Sequence, residues 1–179
     1  MEKRILVISS SPRHGGNSDL LCDQFVLGAN DGGNQAEKIV LRDKEINFCL
    51  ACDYCKKNKG VCIHNDDVPE VIAKMISADV IVMATPVYFY TMCGQMKTLI
   101  DRTYPGYKEM TNKEVYFIVT AAVGSKGAVQ RTIEEFRGFS SLLSGVKEKG
   151  IVYGTGAWSI GDIKTSKAMQ EAYEMGKNV

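Results

Sequence analysis

The feature that most constrains this chain is an alternation of short β-branched apolar runs with longer amphipathic stretches, five times over. RILVIS (residues 4–9) reads as a strand buried on both faces. The helix expected over 17–29 places Leu20, Leu21, Phe25 and Leu27 near a 3.6-residue period, with Asn17 or Ser18 as its cap. A second strand (37–42) precedes a cysteine-rich loop. A helix capped by Asp66 or Asp67 then runs to 77, with Val68, Val71, Ile72 and Met75 on one face. The remaining strands are expected at 78–84, 115–121 and 150–156, and the remaining helices at 93–103, 129–143 and 165–177. TPVYFYTM and AVGSKG are read as loops.

Strand–helix alternation of this kind argues for an α/β fold, a parallel sheet with helices on both faces joined by right-handed crossovers. Five strands fit a flavodoxin-like three-layer sandwich of order 2-1-3-4-5, with residues 1–179 as a single domain. Ligands of such sheets sit at the carboxyl ends of the strands, near the switch point between strands 1 and 3. The loops after strands 1, 3 and 4 are therefore where chemistry is expected.

Composition excludes some partners. A formal net charge of +1 gives no electrostatic reason to bind nucleic acid or an anionic membrane. No apolar run approaches the roughly 20 residues that span a bilayer. MEKRILVISS lacks a small-residue cleavage pattern and reads as a strand rather than a signal peptide, so a cytoplasmic location is expected.

The loop after strand 1, SSSPRHGGNS, offers the hydroxyls of Ser9, Ser10, Ser11 and Ser18, the Asn17 amide, the Arg13 guanidinium and two glycines. It leads into a helix whose free N–H groups and dipole face the same space, a combination that binds phosphate. It has neither the Lys-Ser/Thr ending of a triphosphate loop nor GxGxxG spacing, so a terminal monoester phosphate fits better. The plainer alternative is a Ser/Gly-rich capped turn. SPRHGGNSDLL resembles the phosphate loop of the NAD(P)H-dependent FMN reductases, a branch of the flavodoxin-like proteins. That resemblance implies that Ser11, Arg13, Asn17 and Ser18 hold the FMN phosphate, with Ser9 beside them. The family usually has Gly where this chain has Ser10.

After strand 3, Pro86 stiffens the turn at Thr85, and Val87, Tyr88, Phe89 and Tyr90 follow. Flat rings with exposed backbone N–H groups suit an isoalloxazine, although the same residues could pack under the loop or in a subunit interface. The Pro-x-Tyr loop and the following helix with Lys and Asp-Arg also resemble the family. By analogy Thr85, Pro86, Val87, Tyr88 and Phe89 line the flavin, while Lys97, Asp101 and Arg102 serve scaffold or interface roles. Gly124, after strand 4, permits close approach to the ring, and GTGAWSIGDI resembles the family's closing Gly-Asp-Ile segment. His14 and His64, the only histidines, form no catalytic arrangement with Ser or Cys, so the cofactor carries the chemistry.

Four cysteines remain: Cys49, Cys52, Cys55 and Cys62, spaced C-x2-C-x2-C-x6-C. Compact runs of this kind are typical of cubane ligation, whereas structural zinc usually joins two separated knuckles. Lys56, Lys57 and Lys59 would offset the charge of a thiolate-ligated [4Fe–4S] cluster. The stretch resembles the iron–sulfur flavoprotein subgroup of the same family, but a thiol or disulfide site and a zinc site stay open. Cys22 and Cys93 read as packing residues.

The leading functional expectation is an FMN-dependent oxidoreductase that takes NAD(P)H as reductant and reduces a small-molecule acceptor of quinone, nitro, azo or flavin type. The alternative is an iron–sulfur flavoprotein carrier that relays electrons between a [4Fe–4S] cluster and FMN, with ferredoxin as partner. A third, non-redox reading is a phosphate-binding regulatory domain. The resemblance also implies a homodimer or a dimer of dimers.

Overall fold

A computed structural model describes residues 2–179. Five strands, β1 (Arg4–Ser9), β2 (Gln35–Val40), β3 (Val80–Tyr88), β5 (Glu114–Ala121) and β6 (Lys147–Thr155), form a parallel sheet in the order β2-β1-β3-β5-β6. This is the expected five-strand order. The sixth strand, β4 (Thr91–Met92), pairs antiparallel with the end of β3.

The helices are α1 (Asn17–Asp31), α2 (Tyr54–Lys57), α3 (Val68–Ser77), α4 (Gly94–Arg102), α5 (Gln130–Ser140) and α6 (Lys167–Lys177). Alternation along each strand divides the core. Leu6 and Ile8 of β1 face one side, where Val71 of α3, Leu99 of α4 and Phe136 of α5 pack. Ile5 and Val7 face the other, against Leu21 and Phe25 of α1 and Ala172 of α6. Side chains that point to opposite faces of a strand, and apolar runs without polar alternation, are what a sheet covered on both faces demands. Among the described residues no helix is long and apolar enough to cross a membrane.

Two expectations need correction. TPVYFYTM is a hairpin rather than a loop: Val87 pairs with Met92 and Tyr88 with Thr91. Its turn residues, Phe89 and Tyr90, both lie in the left-handed region (φ 51° and 65°), which turns of this kind usually fill with Asn-Gly. Pro86 is tolerated in β3 because the pairing with β1 ends at Ala84, so no ladder partner on that side requires its missing N–H. One capping assignment differs as well: Gly16, not Asn17 or Ser18, occupies the N-cap of α1. At α3 the expected Asp67 is the N-cap residue, while Asp66 Oδ1 accepts from the Val68 amide at 3.3 Å. Asn17 and Asp67 spend their side-chain polar atoms on contacts outside their helices.

Candidate functional site

The loop between β1 and α1 is shaped by contacts from its underside. Ser10 is tied to β3 by its backbone N–H (3.0 Å) and its hydroxyl (2.7 Å), both donating to the Ala84 carbonyl. The Ser11 hydroxyl donates to the Arg13 carbonyl at 2.9 Å and accepts from the Arg13 N–H at 3.2 Å. Arg42, just beyond β2, donates to the carbonyls of Arg13 (2.8 Å) and Ser11 (3.4 Å) and lies 3.8 Å from Asp19. The Ser11 and Arg13 carbonyls are thereby occupied, and the Gly16 amide closes back on the Arg13 carbonyl at 3.1 Å. Gly15 adopts φ 60°, a conformation that side chains disfavour. Gly16 needs space instead, because a Cβ there would sit 2.2 Å from Ser11 Oγ.

Ser11, Arg13 and Gly16 border a cavity of about 170 Å3 with Ser18, Pro86, Tyr88 and Trp158. Ser18 Oγ is buried without a hydrogen-bond partner. An orphaned hydroxyl, a cradle that a single methyl would fill and the unpaired first-turn amides of a 15-residue helix together fit a phosphate. The volume suits a phosphate and its adjoining chain rather than a whole cofactor. Exposed Tyr88 and Trp158 flank the mouth.

The other expected residues divide. Arg13 lines the cavity and donates to the Trp158 carbonyl at 3.1 Å. Asn17 also lines it, but its carboxamide is committed elsewhere: it donates to the Ser159 carbonyl (2.9 Å) and accepts from the amides of Gly161 (3.1 Å) and Ile163 (3.3 Å). Asn17 thus lashes the closing segment to the loop between β1 and α1. Ser9 does not reach the cavity, being fully buried with its hydroxyl donating to Asp19 at 2.9 Å. Thr85 is also buried, donating to the Pro86 carbonyl and accepting from the Cys93 amide. Val87 borders the cavity beside Pro86 and Tyr88. Phe89 is 99% exposed at the hairpin tip, and Gly124 lies exposed on its own loop.

A second cavity, about 420 Å3, is lined by all four cysteines of the loop together with Tyr54, Ile63 and Tyr104. The four thiols are free; Cys49 and Cys52 are exposed, and Cys55 and Cys62 half-buried. Among the described residues no three His, Cys, Asp or Glu converge closely enough to hold one metal ion. A cubane asks for a different arrangement, one thiolate per iron around a shared space, and four thiols bordering one cavity match it. The loop includes α2, closed by the Gly60 amide donating to the Cys55 carbonyl at 2.9 Å. Ala51, Asp53 and Lys59 hold left-handed backbone, which costs of order 1–3 kcal/mol each and persists only where surrounding structure enforces it. Lys56 is committed to Asp53 at 2.8 Å and to the face of Tyr104.

The loop's anchor is an ion pair between two residues that local sequence did not join. Asp66, read as a helix cap, does accept from the Val68 amide at 3.3 Å, but its side chain is fully buried against Arg102, at 2.6 and 3.0 Å. Burial opposes its ionisation, but hydrogen bonds from Arg102 and from the amides of Asn47 and Val68 outweigh this and hold its pKa at about 2. Asp67 accepts from the Glu45 amide at 2.7 Å. Lys97 and Asp101 pair at 2.6 Å as their spacing predicts. Arg42 carried no local signal because its loop partners lie far away in sequence, and Asp162 of the closing Gly-Asp-Ile segment accepts from the Trp158 and Ser159 amides.

Comparison with known proteins places the chain among relatives. The chain is 34% identical to an iron–sulfur flavoprotein of Methanocaldococcus jannaschii, over 98% of this chain and 95% of that one. It is 32% identical to an iron–sulfur flavoprotein of Archaeoglobus fulgidus, over 91% and 74%. In fold it is similar to the NAD(P)H:quinone oxidoreductase from Methanothermobacter marburgensis, with TM-score 0.78 and 15% identity over 99% of this chain and 96% of that one. The sequence model of the NADPH-dependent FMN reductases matches residues 3–147, and the chain belongs to that family of flavin oxidoreductases.

Proposed function

We propose that this chain is an iron–sulfur flavoprotein: it binds FMN through the loop after β1 and a [4Fe–4S] cluster through Cys49, Cys52, Cys55 and Cys62. The observation that carries the reading is the set of four free cysteines around one cavity, on a chain whose phosphate cradle is built separately. The names of the two relatives above support it.

When bound, FMN supplies hydride and single-electron chemistry and the cluster supplies single-electron chemistry. The chain's own residues bind and orient. Ser11, Ser18, Arg13 and the first amides of α1 hold the phosphate. Pro86, Val87 and Tyr88 stand at the cavity mouth, and Asn17 and Asp162 fix the segment that carries Trp158. The four cysteines supply thiolates, and Lys57 and Lys59 add positive charge nearby.

A second reading is an NAD(P)H oxidoreductase of small quinone, nitro, azo or flavin acceptors, with the cysteines empty. The open mouth between Tyr88 and Trp158 favours it, since a planar acceptor can enter there. Either way we propose a cytoplasmic homodimer or dimer of dimers. The exposure of Phe89 and Tyr90 at the hairpin tip supports association, and ferredoxin is the partner class for the cluster-bearing form. Anaerobic reconstitution followed by flavin, iron and sulfide assays separates the readings. About four irons and one FMN per chain is the proposed state. FMN without iron, with quinone-dependent NADPH oxidation, would leave the second reading alone.

A further inference from the structure

Arg102 is the last residue of α4, and its side chain is 1% exposed. Its Nη1 donates to the Asn47 carbonyl and to Asp66 Oδ2, both at 2.6 Å. Its Nη2 donates to Asp66 Oδ1 at 3.0 Å and to Cys62 Sγ at 3.5 Å. Asn47 lies two residues before the first cysteine of the loop, Cys62 is the last, and Asp66 lies four beyond it. One side chain on a helix fixed in the core by Met96 and Leu99 therefore grips both ends of the loop. Among the described residues, no other cysteine of the four has a side-chain donor at its sulfur.

A purely structural clamp does not require this chemistry. A well-packed apolar pair is often as stable as a buried ion pair, and here the pair also leaves Arg102 Nε buried without a partner. What only a guanidinium supplies is a fixed fork that can hold a carboxylate bidentately and still present an N–H to a sulfur. Hydrogen bonds to ligating sulfurs and nearby charge are among the features that set cluster potentials, because they stabilise the added electron.

We propose that Arg102 positions Cys62 as the fourth ligand and raises the reduction potential of the cluster, an inference that rests on the cluster reading above. Asp66 holds the guanidinium in place and tempers its charge. Removing the Arg102 donors should lower the potential, and removing the Asp66 charge while keeping Arg102 should raise it.

The test uses anaerobically reconstituted holoprotein: wild type, Arg102→Gln, Arg102→Lys and Asp66→Asn. FMN content and circular dichroism report folding, iron and sulfide report loading, and an EPR-monitored redox titration reports the midpoint. For R102Q the expected result is an approximately tenfold smaller reduced-to-oxidised ratio at the wild-type midpoint, a shift of about 59 mV for one electron. R102K should recover part of that shift. D66N should move the midpoint the opposite way, so the proposal stays testable if R102Q fails to fold. Loss of iron from R102Q, with FMN retained and R102K still loaded, also supports the positioning role. Fully loaded variants with the wild-type midpoint, or shifts of one sign in R102Q and D66N, overturn the inference and leave the cluster reading standing. A wild type that takes up FMN but no iron overturns both.

Discussion

Gly16→Ala isolates the phosphate cradle from everything else in the molecule. Gly16 has φ −63° and ψ 158°, a conformation open to any residue, so the backbone would not resist the change. The obstacle is space. The new methyl would lie 2.2 Å from Ser11 Oγ, 3.1 Å from the Arg13 carbonyl and 3.3 Å from Arg13 Cβ. The Ser11 side chain must rotate away, which breaks its bonds to the Arg13 carbonyl and amide. Two neutral hydrogen bonds contribute about 0.5–1.5 kcal/mol each, so restoring the binding geometry should cost about 1–3 kcal/mol. At about 1.4 kcal/mol per tenfold, FMN affinity should fall by roughly 5- to 150-fold. Quenching of flavin fluorescence measures this directly. Riboflavin, which lacks the phosphate, is the internal control, and its weaker affinity should not change. An unaltered FMN affinity, or a parallel loss for riboflavin, would show that the phosphate does not sit at this loop.

The remaining predictions follow from single observations. Ser18→Ala should leave thermal stability unchanged or slightly raised, because the hydroxyl it removes is buried and unpartnered, while FMN binding weakens; a clear loss of stability without ligand would contradict this. Asp66 is held at about 2 against an ordinary 3.8, so the stability it contributes is present above about pH 4 and is lost as pH falls toward 2. Asp66→Asn should flatten that part of an acid-unfolding profile followed by circular dichroism, and an unchanged slope would refute the assignment. Phe89→Ser removes the most exposed large apolar side chain among the described residues and should reduce self-association in light scattering without affecting the melting temperature; an unchanged oligomer would remove the hairpin tip from the interface.

The βα alternation was legible because strands covered on both faces carry unbroken apolar runs, and the sheet order follows from five such strands with helical crossovers. The loop after β1 was legible as a candidate site for a similar local reason: Ser11, the two glycines and Ser18 stand together between a strand and a helix. The hairpin after β3 was hidden because Phe89 and Tyr90 occupy a turn that sequence patterns associate with Asn-Gly. Asn17 was misread as a cap since its sequence neighbours permit capping, and the capping positions of Asp66 and Asp67 gave no hint of the distant partners their carboxylates also hold. Arg42 lay beyond local reasoning, and Arg102 was read as scaffold without its partners. Each lies at or just beyond the end of its element and reaches a loop elsewhere in the chain, and nothing near them in sequence marks that contact.

The pairing of a flavin cradle with a cluster-bearing loop is tested most directly by locating iron. Crystals of the anaerobically reconstituted protein, measured at the iron absorption edge, should give one compact anomalous peak in the cavity bounded by Cys49, Cys52, Cys55 and Cys62, with FMN present at the loop after β1. FMN in place with no iron in that cavity, or with its cysteines joined as disulfides, would contradict the account.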